Sequence, residues 1–136
     1  MSYIVRDWMS KPVIVVDGST SVAHALTVMR RRNIHSLVVD FSDGDMPAHG
    51  IVTTTDIRDK IVEADRDPAK TTVAEIMTTP VHTASPNWTL QQCAHHMHEL
   101  NIHHMPVADT DGAFIGMISA TDIFAAVEEA GWGALG

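Results

Sequence analysis

The chain has 136 residues, 45% of them hydrophobic and 19% charged, and a formal net charge of −8. That length suits one globular module with a real core, while the acidic balance argues against a nucleic-acid backbone or an anionic membrane as the main partner. No apolar run reaches the ~18 residues of a membrane span, the N-terminus lacks a secretory h-region, and the single Cys93 cannot form an internal disulfide, so a cytoplasmic location is expected.

Residues 4–9 read as one amphipathic helical turn or an arm. Pro12 introduces Val13-Ile14-Val15-Val16, a short β-branched strand. Asp17-Gly18-Ser19 is a turn, with Ser19 or Thr20 expected to cap the next helix. Val22, Ala25, Leu26 and Met29 fall at i, i+3, i+4, i+7 and mark one apolar helix face. Arg30, Arg31 and Arg32 stand about 100° apart around that helix, so they form a solvated C-terminal turn and not one basic patch. Ser36 to Val39 is the second strand, Asp43 to Pro47 a loop, and His49 to Thr53 the third strand. A helix runs from Asp56 to about Ala64, and Asp65-Arg66-Asp67-Pro68 ends it.

A second half replays the first. Thr72-Val73-Ala74-Glu75 is a capping-box pattern. Val81 to Thr83 predicts a strand, and Leu90, Cys93, Ala94 and Met97 a helix face. Met105-Pro106-Val107-Ala108 and Phe114 to Ser119 predict a hairpin through Asp111-Gly112. A last helix runs from Thr121 to about Ala130, and Gly131-Trp132-Gly133 stops it before a mobile tail. All nine Lys and Arg precede residue 71, so later positive charge falls to His82, His95, His96, His98, His103 and His104.

The repeat is legible residue by residue. Met9-Ser10-Lys11-Pro12-Val13 returns as Met77-Thr78-Thr79-Pro80-Val81. Asn33-Ile34-His35 returns as Asn101-Ile102-His103, and Gly50-Ile51-Val52-Thr53-Thr54-Thr55-Asp56-Ile57 as Gly116-Met117-Ile118-Ser119-Ala120-Thr121-Asp122-Ile123. Self-similarity at a fixed spacing signals a duplicated unit. Each half is strand, helix, strand, strand, helix, with an apolar sheet face that it cannot easily bury alone. The expected fold is therefore α+β, two βαββα repeats (4–65 and 71–130) packed with pseudo-twofold symmetry.

These motifs, twice and in order, resemble a tandem pair of CBS domains, the repeats named after cystathionine β-synthase and called a Bateman module when paired. The resemblance covers about residues 4–130. It implies a non-enzymatic regulatory module that binds an adenosine compound in the cleft between repeats, with AMP, ADP, ATP, NAD and S-adenosylmethionine as ligand classes and no required cofactor. It further implies a homodimer and an unidentified regulated partner.

The family pattern carries over by position. Asp56 and Asp122 would hold the ribose hydroxyls. Thr53 and Thr55, and Ser119 and Thr121, would face phosphate. Lys11, Pro12, Val13 and Ile14, and Thr79, Pro80, Val81 and His82, would line the adenine, with Pro106 nearby. The chemistry is apt, because a carboxylate matches a vicinal diol and hydroxyls with helix N–H groups match phosphate oxygens. In a nucleotide-sensing member of the family a His-Arg pair enters the second strand and reaches phosphate. Here the pairs are His35-Ser36 and His103-His104, without arginine. Arg58, two residues after Asp56, has Phe124 as its counterpart. The departure disfavours multiply charged ATP relative to AMP or a less charged adenosine derivative, and it predicts two sites of unequal affinity.

Plainer readings stand beside these. Thr53-x-x-Asp56 and Ser119-x-x-Asp122 fit a helix capping box with no ligand, and a capped helix start can still face a phosphate. His95 and His98 lack the Cys pair or His-Glu-x-x-His setting of a zinc site, so no metal is expected. Cys93 and the repeat-matched methionines belong to the core. Trp8, Trp88 and Trp132 could serve an interface. An interaction-only scaffold with empty clefts is the alternative to the ligand sensor.

Overall fold

A computed structural model describes residues 3–131. Trp132 and the tail after it lie outside the described residues. The chain divides into two compact units that do not follow its sequence repeats. Among the described residues, one unit takes 14–81, and the other takes 3–13 together with 82–131. Each unit thus acquires a short helix that precedes the other half in sequence.

The unit of residues 14–81 holds β1 (Val15–Asp17), α2 (Val22–Arg32), β2 (Ser36–Asp43), β3 (Met46–Thr53), α3 (Thr54–Ile57), a π-helical turn (Arg58–Val62) and α4 (Val73–Ile76). Its sheet runs β1-β2-β3, with β1 parallel and β3 antiparallel to β2. The first strand starts later than Val13 and includes Asp17. The loop expected over Asp43 to Pro47 shrinks to a tight turn at Gly44, whose φ of 65° suits glycine. Pro47 instead pairs with Ser42 on an edge strand, where a missing N–H is tolerated.

Helix α2 is capped by Ser21, whose Oγ accepts the His24 N–H at 3.1 Å. Neither expected cap, Ser19 or Thr20, holds that position; the Ser19 N–H and hydroxyl instead donate to Asp17 Oδ1 at 2.8 and 2.6 Å. Those bonds hold the Asp17 carboxyl below its ordinary range. Asn33 ends α2, and Asn101 the matching helix Leu90–Leu100, in the left-handed conformation, each at φ 52°. The repeated asparagine is thus a helix C-cap. The helix expected from Asp56 to Ala64 is α-helical only through Ile57 and then widens into the π turn. The core gathers Val22, Ala25, Met29, Leu37, Val39, Val52, Ile57 and Ile61, and α4 adds Val73 and Ile76.

The other unit holds α1 (Val5–Trp8), α5 (Leu90–Leu100), β4 (His104–Ala108), β5 (Phe114–Ser119) and α6 (Ala120–Ala130). Strands β4 and β5 form the expected antiparallel hairpin. Asp109 Oδ1 braces its turn by accepting from the Asp111 and Ala113 N–H groups. The strand expected over Val81 to Thr83 is reduced to one bridge between Ala84 and Val107. Ala84 donates to Pro106 O and accepts from Ala108 N–H. Pro86 lies just beyond and has no N–H to continue a ladder.

Val5 of α1 is fully buried with Leu90, Cys93, Met97, Met105, Val107, Ile118 and Ala126. Trp8 and Trp88 pack partly buried against this core. Cys93 is inert, because burial, and secondarily the nearby Asp122 charge, pushes its thiol up to about 11.

Two glycines admit the exchanged segments. Ser10 bridges to Met117, donating at 2.8 Å and accepting at 2.9 Å. Thr78 bridges to Ile51 in the same way, at 2.8 and 3.0 Å. A Cβ on Gly116 would collide with the Met9 side chain and lie 3.1 Å from Ser10 O. A Cβ on Gly50 would lie 2.7 Å from Met77 Sδ and 3.1 Å from Thr78 O. Gly116→Ala is expected to cost about 1–3 kcal/mol in urea unfolding. Adding Met9→Ala should recover only part of that loss, because the Ser10 carbonyl stays in place. Full recovery would show that the side chain alone makes the contact tight.

Candidate functional site

The repeated Gly-x-x-(Thr/Ser)-x-x-Asp segment is a strand end that turns directly into a helix. In the unit of residues 14–81, Thr53 is the N-cap of α3. Its N–H and hydroxyl donate to Asp56 Oδ2 at 2.9 and 3.2 Å, and the Asp56 N–H donates back to Thr53 Oγ1 at 3.3 Å. In the other unit Ser119 caps α6. Its N–H and hydroxyl donate to Asp122 Oδ2 at 2.8 and 3.0 Å, and the Asp122 N–H donates to Ser119 Oγ at 3.3 Å. Both are complete capping boxes, so each carboxylate is oriented through one oxygen. The capping reading therefore holds, and it leaves Oδ1 of each aspartate to decide what else the site does.

The Asn-Ile-His motif meets the same place through its backbone. Thr54 N–H donates to His35 O, and Ala120 N–H donates to His103 O, each at 3.0 Å. Ser36 pairs with Thr53 and His104 with Ser119 across the hairpins. Ser36 and Pro106 are buried, whereas the side chains of His35, His103, Thr55 and Thr121 are exposed. Arg58 is also exposed and bonds Asp59 through Nε at 2.7 Å, so its charge is engaged by its own neighbour.

The candidate adenine-lining segments divide between the units. Lys11, Pro12 and Val13 share a unit with His82, Ser119 and Asp122, and Ile14, Thr79, Pro80 and Val81 share one with Thr53 and Asp56. Thr78 lies close enough for its hydroxyl to reach Asp56 Oδ1 at 3.5 Å. The Lys11–Pro12 and Thr79–Pro80 peptide bonds are cis. Lys11, Pro12, Thr79, Pro80 and His82 are exposed, while Ile14 packs against the core of its unit.

Sequence reasoning missed Lys60. Its Nζ lies 3.2 Å from Asp56 Oδ1 and 2.8 Å from Ile76 O. The signal was available as an Asp-x-x-x-Lys spacing on a helix. Among the described residues no equivalent cation pairs with Asp122, where the residue matching Lys60 is Ala126. Asp122 is part-buried, and desolvation raises its carboxyl above the ordinary range against the opposing bonds from Ser119. Among the histidines, His96 stacks on Trp88 with ring centroids 4.0 Å apart.

Comparison with known proteins identifies the family. The CBS domain family model matches residues 5–63 and again 73–129. A putative signal-transduction protein with CBS domains from Burkholderia ambifaria is 31% identical, covering 97% of this chain and 98% of that one, with a TM-score of 0.79. The CBS domain pair of protein MJ0100, solved in complex with 5′-methylthioadenosine and S-adenosyl-L-methionine, is 28% identical. That match covers 95% and 98% of the two chains, also with a TM-score of 0.79. The L-aspartate semialdehyde sulfurtransferase of Methanocaldococcus jannaschii is 30% identical over 120 residues, which is 88% of this chain but 22% of that protein. The chain spans about a quarter of the length of this and similar curated relatives.

The raised Asp122 pKa has a defined sign. The folded state binds this proton more readily than the unfolded state, so the group favours folding most at acid pH and loses that contribution as pH rises through its folded value. Asp122→Asn keeps an acceptor for Ser119 and removes the charge. Its melting temperature relative to the parent should therefore become more favourable from about pH 4 to pH 7. A difference that is flat with pH, measured by calorimetry, would contradict the assignment.

Proposed function

Since the chain belongs to the CBS domain family and carries two of its domains in tandem, we propose that it is a non-enzymatic regulatory module that binds an adenosine-containing ligand and signals occupancy to a partner protein. The observation that carries this reading is the pair of aspartates, each fixed through Oδ2 at a helix start beside a hydroxyl. A carboxylate so oriented suits a ribose diol. The ligands of the MJ0100 pair support the class. The exposed histidines and the self-paired Arg58 offer little fixed positive charge, which favours AMP or a less charged adenosine derivative over ATP. The match to the sulfurtransferase lies within a fraction of that enzyme and supports a binding module better than a catalytic one. A reducing compartment such as the cytoplasm suits the unpaired Cys93. Among the described residues, no helix is long and apolar enough to cross a membrane.

We also propose a homodimer built through helix faces. Phe124 and Val127 on α6 are 67% and 39% exposed, and Val62 on the π turn is 73% exposed. Side chains of that size on helix surfaces suit association. Light scattering on the purified chain should give twice the monomer mass, and Phe124→Asp should halve it without loss of helicity. A monomeric parent at tens of micromolar would remove this part of the proposal.

The ligand itself is tested by thermal shift against AMP, ADP, ATP, NAD, S-adenosylmethionine and methylthioadenosine. A ligand at one hundred times its dissociation constant should stabilise by about 2.7 kcal/mol, which is about 5–10 °C for a chain of this size. The shift should vanish in the Asp56→Asn/Asp122→Asn variant. No shift with any of the six compounds would favour the interaction-only scaffold.

A further inference from the structure

The two aspartates are equivalent in sequence and unequal in structure. Each spends Oδ2 on its own capping hydroxyl and N–H, so only Oδ1 remains to receive a ligand hydroxyl. At Asp56 that atom is already taken. Lys60 Nζ sits 3.2 Å from it and is itself anchored on the Ile76 carbonyl at 2.8 Å. The Thr78 hydroxyl approaches the same oxygen at 3.5 Å. The Asp56 side chain is left 12% exposed.

At Asp122 neither partner is present. The residue matching Lys60 is Ala126, and the residue matching Thr78 is Ser10, which meets its strand through the backbone. Among the described residues, Asp122 Oδ1 receives no hydrogen bond or ion pair. No fully buried side-chain polar atom among them lacks a partner, so this oxygen keeps some contact with solvent. Placing a diol on Asp122 displaces only water. Placing one on Asp56 must first break a charge-assisted contact and leave an ammonium to find another acceptor.

We propose that Lys60 is an internal latch on Asp56, so that the chain takes one adenosine ligand at Asp122 and keeps its second diol-binding carboxylate closed. This rests on the adenosine-ligand reading above. Lys60 is a specificity-determining residue here through its hold on Asp56. Its side chain is 44% exposed, so replacing it need not disturb the core.

The test is calorimetric titration of the full chain with 5′-methylthioadenosine and, separately, AMP. The parent should bind one equivalent per chain, and Asp122→Asn should weaken that binding by about ten- to a hundredfold. Lys60→Met should reveal a second equivalent, Lys60→Arg should not, and Lys60→Met/Asp56→Asn should lose the second equivalent again. Circular dichroism on each variant confirms that it is folded. Two equal equivalents in the parent, binding undiminished in Asp122→Asn, or a single equivalent in folded Lys60→Met would each overturn the latch while leaving the adenosine reading intact. No heat with either compound, in the parent or in Lys60→Met, together with no thermal shift from any of the six compounds, would overturn the adenosine reading and the latch with it.

Discussion

The backbone bridges at Ser10–Met117 and Thr78–Ile51 are the contacts on which the rest of each unit depends. Each brings an incoming segment against the strand that ends at a capping hydroxyl. Each crosses at a glycine, where an added Cβ on Gly116 or Gly50 would press on a methionine side chain and lie a tight 3.1 Å from the carbonyl of the bridging residue. With the bridge in place, the preceding short helix reaches the core and supplies Val5 in one unit and Val73 with Ile76 in the other. The same bridge sets Thr78 beside Asp56. Core closure and site geometry therefore share one constraint.

Local chemistry explains why much of this was legible beforehand. The asparagines at 33 and 101 recur because a left-handed residue ends each helix. The Thr/Ser-x-x-Asp spacing recurs because a hydroxyl and a carboxylate three residues apart close a capping box. The helix faces of Val22, Ala25 and Met29 and of Leu90, Cys93 and Met97 are buried as their spacing implies, with Leu26 and Ala94 half-buried beside them. What failed was non-local. Val81 to Thr83 has β-branched residues but forms no strand, because only Ala84 finds a partner before Pro86. The periodicity of residues 4–9 marks an apolar face but carries no information on which half receives it.

Lys60 illustrates a different gap. Its spacing from Asp56 is ordinary for a helical ion pair, a contact that contributes little on an exposed surface. Only the structure shows that the carboxylate is nearly covered and that the ammonium is held from the other side by the Ile76 carbonyl. The cations visible in sequence drew attention to Arg58, whose guanidinium turns to Asp59. Duplication supplied two similar carboxylates, and one turn of helix later the chemistry diverged between lysine and alanine.

The path of the chain has a consequence for how it assembles. Seen from the unit that contains both ends of the described chain, residues 14–81 are an insertion, leaving at Val13 and returning at His82. The inserted unit is one continuous stretch of chain, whereas Val5 meets Leu90 only by closing a loop that contains all of it, and such closure is entropically costly in an open chain. The two halves look equivalent in sequence, yet they differ in how much chain must be looped to complete each core.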